Sequence, residues 1–253
     1  MSFLKKSLLL LLLLGVWSRI WTYDELIAYQ KSPHFEIYCT ASDQVIANQL
    51  LEHAETSYHE IAVDFQGSLT DVVSIKVYPT LEQFHASIGH IEAADWLVGQ
   101  YRQPSRTISM VSPLNPGPQH TYDSLFSTLT HHVANAVMLD TFEKPIPNWL
   151  RIGAAMHASD QFFLVQETLY ELSKGLDLPL LPQLEAANMQ RFQQMHGFAV
   201  SYLFVAYIEE RWGWGAVVEL LRHPAAFESI LGMTQEQFHQ ENLAYLQQHN
   251  WHN

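Results

Sequence analysis

The chain has a single cysteine, Cys39, so no intrachain disulfide can form and the core alone must hold the fold. Basic residues are scarce: 13 Lys and Arg stand against 26 Asp and Glu, a formal net charge of −13. A nucleic-acid surface needs clustered Lys and Arg to meet phosphates, so that class of partner is excluded. The uninterrupted apolar run from Leu8 to Trp17 is well short of the roughly 20 residues that span a bilayer. There is no internal repeat, and no low-complexity segment follows the leucine-rich start.

What is present points to export and to a substantial core. Hydrophobic residues make up 48% of 253 positions, enough for one large domain or two small ones. Lys5 and Lys6 precede seven leucines, Leu8 to Leu14, the charged and apolar regions of a secretory signal peptide. Val16 and Ser18 offer small residues for cleavage, but the usual Ala-x-Ala pattern is missing. An uncleaved signal anchor reaching Ile20 and Trp21 is the alternative, with Lys5 and Lys6 holding the N-terminus in the cytoplasm. Residues 1–22 are therefore assigned to a signal peptide or anchor. The expected location is exported: periplasmic, cell-surface or secreted, and membrane-associated only through that segment. Fourteen His leave room for metal binding or pH sensing, although scattered surface His explain most such counts.

Patterning divides the remainder in two. Tyr23 to Gln30 reads as a short helix or linker, and His34 to Thr40, which holds Cys39, as a strand. Ser42 caps a predicted long helix to Phe65, with Val45, Leu50, Ala54, Ile61 and Phe65 as its apolar stripe. Strands are expected over Val72 to Tyr78, Leu97 to Tyr101 and Thr107 to Val111, with a short helix capped by Thr80 after the first. Beyond the proline-rich loop from Ser112 to His120 the pattern is helical. Helices are predicted over Asp123 to Leu139, from Pro147 to Ser159, over Gln161 to Ser173, and over Gly197 to Trp212. Leu178 to Pro182 reads as a loop, and Ala216 to Leu221 and Thr234 to Gln248 close the set. The layout implies an α+β fold: a mixed sheet with helices over residues 33–120, then an all-helical half over 121–250.

Two segments carry a more specific signal. One is Ser127-Thr128-Leu129-Thr130-His131, and the other Trp149-Leu150-Arg151-Ile152-Gly153-Ala154-Ala155. In this order, after such a strand and helix series, they resemble the peptidase MA-like (gluzincin) metallopeptidases, whose motif helix reads His-Glu-Leu-Thr-His and whose later helix reads Trp-Leu-x-Glu-Gly-x-Ala. Trp96-Leu97-Val98-Gly99 looks like the family's edge-strand region, and Tyr202 to Gly213 and Leu231 to Thr234 like its C-terminal helices. The resemblance covers about residues 33 to 248 and implies a zincin-like fold.

The departures fall where the chemistry would be. Two His at i and i+4 with a Glu between them bind zinc and activate water. On that correspondence the first ligand position is Ser127, the general-base position is Thr128, and the third ligand position is Ile152. Only His131 survives, and one imidazole does not hold catalytic zinc. A rebuilt site could draw on His131, His157 and His120. The expected protein is thus a pseudoenzyme: an exported, inactive metallopeptidase homologue without a cofactor, its old cleft free to take a peptide or protein. Strand addition would need only backbone hydrogen bonds, with Thr107 to Val111 as the expected edge. The alternatives are an active peptidase using zinc through unorthodox ligands, and a structural envelope protein.

Overall fold

Alternation along the strands builds the first layer. The structure is a computed structural model that describes residues 25–90, 93–175, 177–249 and 251. The predicted leader, at 1–22, lies outside the described residues. Strands β1 (Ile27–Lys31), β2 (Phe35–Cys39), β3 (Val73–Tyr78), β4 (Gly99–Arg102) and β5 (Thr107–Val111) form one sheet in the order β1-β2-β3-β5-β4. Phe35, Ile37 and Cys39, then Val73, Ile75 and Val77, then Ile108 and Met110 are buried. The intervening Glu36, Tyr38, Ser74, Lys76 and Ser109 turn to the other face and stay half-buried.

Strands β2, β3 and β5 run parallel, with β1 and β4 antiparallel at the two margins. Two sequence expectations change here. The segment read as helix or linker, Tyr23 to Gln30, overlaps β1, which is exposed throughout and owes its shape to pairing with β2 rather than to an apolar pattern. Thr107 to Val111 is not an edge: it is paired on both sides, to β3 and to β4. The outer position belongs to β4.

Helix α1 (Gln44–Asp64) makes the crossover that parallel β2 and β3 require. It begins one residue later than expected, after a 3₁₀ turn over Ala41–Asp43, with Asp43 rather than Ser42 at its cap. Buried Asp43 accepts hydrogen bonds from Thr40 Oγ1 (2.7 Å) and Ser112 Oγ (2.5 Å), tying the ends of β2 and β5 to the start of the helix. Its inward stripe is Ile46, Leu50, Ala54 and Ile61; Val45, expected inside, is 78% exposed. Helix α2 (Leu81–Ser87) starts at the Thr80 cap, as its sequence predicts.

The helical half opens with α3 (Tyr122–Thr141), where Thr121 and Ser124 form a reciprocal capping box. Then come α4 (Asn148–Ala158), α5 (Phe162–Ser173), α6 (Leu181–Ala186), α7 (Met189–Gln194), α8 (Gly197–Trp212), α9 (Trp214–Arg222), α10 (Phe227–Leu231) and α11 (Gln235–Gln248). The predicted loop at Leu178 to Pro182 is shorter than expected, because α6 begins at Leu181 and takes Pro182 into its first turn, where a missing N–H costs nothing. Helix α3 packs on α1, on β4 and β5, and on α4, so it joins the two halves. Helices α4 and α8 lie against each other at Gly153, where a Cβ would stand 2.2 Å from the Ser201 carbonyl oxygen. Among the described residues, no helix is long and apolar enough to cross a membrane.

Candidate functional site: the motif helix and its neighbours

Helix α3 is held at a fixed rotation. Leu125, Leu129, Val133 and Ala136 are completely buried, an i, i+4, i+8, i+11 series that anchors one face. Thr130 is fastened to α1: its Oγ1 lies 2.9 Å from His53 Nε2 and 2.8 Å from Ser57 Oγ. His53 Nε2 also reaches the Phe126 carbonyl at 3.1 Å. These bonds leave Ser127 and His131 on another side, with Thr128 and His132 turned toward the outer strand β4.

Each motif position has a local employment. The Thr128 hydroxyl donates back to the Ser124 carbonyl at 3.0 Å, and its methyl group lies against Gly99 of β4. Ile152 is 4% exposed and belongs to the apolar core. Ser127, half-buried, sits one turn before His131. His131 hydrogen bonds the side chain of buried Gln161, at the start of α5, while its Nδ1 is buried without a partner. His132, adjacent in sequence, turns away to the Gly99 backbone, and its Nδ1 is also buried and unpartnered. The two rings stand edge to face, with centroids 5.2 Å apart.

Asn135 and Arg151 complete the group. Asn135 Nδ2 donates to the His131 carbonyl at 2.9 Å, while its Oδ1 accepts a short hydrogen bond from Arg151. Arg151 also reaches Asn148 Oδ1 at 3.4 Å. Both partners are neutral amides, and among the described residues no carboxylate pairs with this guanidinium. Burial lowers the Arg151 pKa, yet a guanidinium remains charged at any ordinary pH.

That fixed charge shapes the imidazoles. Burial, reinforced by His132 and Arg151, pushes His131 well below the usual imidazole range against the opposing bond to Gln161. Burial takes His132 down to about 4, with Arg151 adding to the effect and the Gly99 backbone opposing it. Both rings are neutral at pH 7.

The other expected ligands lie elsewhere. His157 Nε2 is 2.6 Å from Glu209 Oε2, and its ring lies against Tyr202 and Trp214. His120 Nε2 meets the Trp96 carbonyl at 3.0 Å and its Nδ1 lies 3.3 Å from Ser124 Oγ. The structure does not bring His131, His157 and His120 together: among the described residues, no group of three or more His, Cys, Asp or Glu is placed to hold a metal ion. Nor do the motif positions suit zinc. They offer one imidazole, the neutral Ser127 hydroxyl, a Thr128 hydroxyl already bonded to its own helix and an isoleucine, beside a permanent positive charge that repels a divalent cation.

Sequence reasoning singled out Ser127, Thr128, His131 and Ile152. It missed Arg151 and Gln161. Arg151 lay within the quoted motif, at a position that carries no ligand in the related pattern. Compared with protein-family models and with curated proteins, the chain matches none.

Proposed function

We propose that the protein is an exported, non-catalytic homologue of a zinc metallopeptidase, of zincin-like fold, that receives a peptide or protein along its outer strand β4. The observation that carries this is the fate of two of the three lost positions, Thr128 and Ile152. A site in use keeps its reactive groups poised toward substrate. Here the Thr128 hydroxyl is spent on the Ser124 carbonyl, and Ile152 is 4% exposed in the core. Both side chains are built into the fold rather than left aimed at a metal.

The outer strand β4 supports the binding part of the proposal. It is four residues long, is paired among the described residues only to β5, and passes directly over Thr128 and His132. An added extended segment would hydrogen bond there through its backbone. Just before β4, the Trp96 ring meets Phe198, near the start of α8, edge to face at 5.4 Å. The charged and apolar regions at the N-terminus support export.

The test is metal content together with turnover. Purified protein should carry no stoichiometric zinc and should leave casein and a peptide library uncut. Stoichiometric zinc that disappears in His131→Ala, together with peptide hydrolysis, would overturn the proposal.

A further inference from the structure

The face of the sheet turned away from α1 and α3 holds two cations without a counter-ion. Register sets Tyr38, Lys76, Ser109 and Gln100 in one row across β2, β3, β5 and β4, and Glu36, Ser74, Thr107 and Arg102 in the next. Their alternates Ile75, Ile108 and Met110 fill the core, so both rows look outward. Lys76 and Arg102 stand two strands and two residues apart, a Cα separation of about 12 Å. The β5 residues between them, Ser109 and Thr107, are short. The gap is a recess of about 140 Å³ lined by Lys76, Tyr78, Gln100, Arg102, Thr107 and Ser109, with the end of α2 closing one side. No carboxylate lines it. Among the described residues, neither the Lys76 ammonium nor the Arg102 guanidinium has an ion pair or a side-chain hydrogen bond. Glu36, the one acid in the two rows, is hydrogen bonded by the Tyr38 hydroxyl. Lys76 is half-buried on a central strand, where a charge is partly desolvated and ordinarily offset. Thr107 Oγ1 donates to the Ser105 carbonyl at 2.9 Å. The Ser109 hydroxyl, the Gln100 amide and the Tyr78 hydroxyl have no hydrogen bond among the described residues. In a chain of 13 basic and 26 acidic residues, a recess with two unpaired cations and three unused polar groups is an anion site by composition and by shape.

We propose that this recess binds a tetrahedral oxyanion: free phosphate or sulfate, or the same group on a small polar molecule. The site lies on the opposite face of the sheet from the motif helix and does not depend on the peptide reading above. Two cations match the charge of about −1.5 to −2 that a phosphate group carries near neutral pH. The Arg102 guanidinium offers a fork of N–H donors and the Lys76 ammonium a point charge. Ser109, between them, and Gln100, beside Arg102 on β4, supply neutral donors for the remaining oxygens. A carboxylate, with two oxygens and one charge, would leave part of this set unused.

The test is isothermal calorimetry on the full protein at pH 7.5 and constant ionic strength, with inorganic phosphate, sulfate, glycerol 3-phosphate and acetate as probes. At least one of the three tetrahedral probes should bind saturably, one per chain, and ten-fold or more tightly than acetate. A lead for inorganic phosphate or sulfate identifies the free ion as the ligand, and a lead for glycerol 3-phosphate identifies an ester. Lys76→Gln and Arg102→Gln should each weaken that binding ten-fold or more, while Lys144→Gln, outside the recess, should leave it unchanged. Arg102 is exposed on a short outer strand, so its variant reports on the site even where Lys76→Gln disturbs the sheet. Ser109→Asp sets a carboxylate between the two cations and should abolish binding. Absence of saturable binding by every tetrahedral probe would overturn the proposal. Acetate binding as tightly as the best of them would overturn the assignment to a tetrahedral anion. Affinity that survives both Arg102→Gln and Ser109→Asp would overturn the placement of the site in this recess.

Discussion

Acidification should weaken this fold well before its carboxylates are neutralised, and His132 supplies a measurable share of the loss. In the unfolded chain an imidazole takes up a proton near pH 6.5. In the folded protein, burial and the Arg151 charge hold His132 neutral down to about 4. Between those two values the unfolded state binds more protons, so stability falls as pH falls. At pH 7.5 the effect is negligible. At pH 5 the difference in proton binding amounts to about 2 kcal/mol for His132 alone. For a domain of this size that corresponds to a drop of about 4–8 °C in melting temperature. His131, whose shift has the same sign, adds to it, and so do His53, His120 and His239, all lowered chiefly by burial.

Because several imidazoles share the slope, the assay is a comparison. Urea unfolding of the native chain and of His132→Gln would be measured from pH 7.5 to pH 5, a window that closes above the range where most carboxylates protonate. The variant keeps a donor for the Gly99 backbone but cannot titrate. It should lose about 2 kcal/mol less than the native chain over the window, whatever its stability at pH 7.5. Superimposable slopes would refute the assignment, as would an imidazole C2–H resonance of His132 that titrates near 6.5 in the folded protein. Arg151→Gln offers a cross-check, since removing that charge should raise the midpoints of both His131 and His132.

Three further substitutions probe how the site is held. Gly153→Ala drives a Cβ to 2.2 Å from the Ser201 carbonyl oxygen on α8; overpacking should exceed the gain in helix propensity and cost about 2 kcal/mol or more in thermal unfolding. Thr130→Val removes the hydroxyl shared by His53 and Ser57 and should cost about 1–2 kcal/mol while leaving α3 intact by circular dichroism. Arg106→Ala strips Asp140, which is 5% exposed in its side chain, of its guanidinium. Thr70 alone then holds that carboxylate, and denaturant unfolding should show a loss of about 1–3 kcal/mol.

Local chemistry explains which features were legible in the sequence. Helix ends were readable where a cap announced them: Thr80 and Thr234 accept from the backbone N–H three residues on, and α8 runs from Gly197 to Trp212 as its composition predicts. The register of α1 was not, because Val45 and Ile46 are equally apolar and only the direction of the sheet beneath decides that Ile46 turns inward. Strand β1 escaped notice because its five residues are all exposed and alternate against nothing; its partner, β2, lies across a turn. The mistake over β5 has the same root. A β-hairpin signal identifies two strands, but which of them meets a third depends on the parallel pairing with β3, and that pairing is nonlocal. At the site, substitution at the ligand positions was visible residue by residue. The consequence of an arginine between Leu150 and Ile152 was not, since its partners come from α3 and from its own first turn.

The replacements at the motif are connected by charge. If the fold descends from a zinc peptidase, as proposed, the ancestral centre balanced a dication against a carboxylate ligand and a general-base carboxylate. Loss of the metal alone would leave two carboxylates facing one another in a poorly solvated site, which is a costly arrangement. Thr128 and Ile152 both remove negative charge at those positions, and Arg151, one residue from Ile152, puts a permanent positive charge near His131 and His132. The local field keeps the sign it would have with a metal, while the source of the field becomes a side chain that cannot polarise water for attack. A site of that kind still attracts anions and has no general base to use on them. Reintroducing the acid at Thr128→Glu should then yield an ion pair with Arg151 rather than a base: the variant's pH–stability curve should steepen below pH 5, where the new carboxylate protonates, and peptide hydrolysis should remain absent. Hydrolysis by this variant, with or without added zinc, would show that the positive charge is not what separates this site from catalysis.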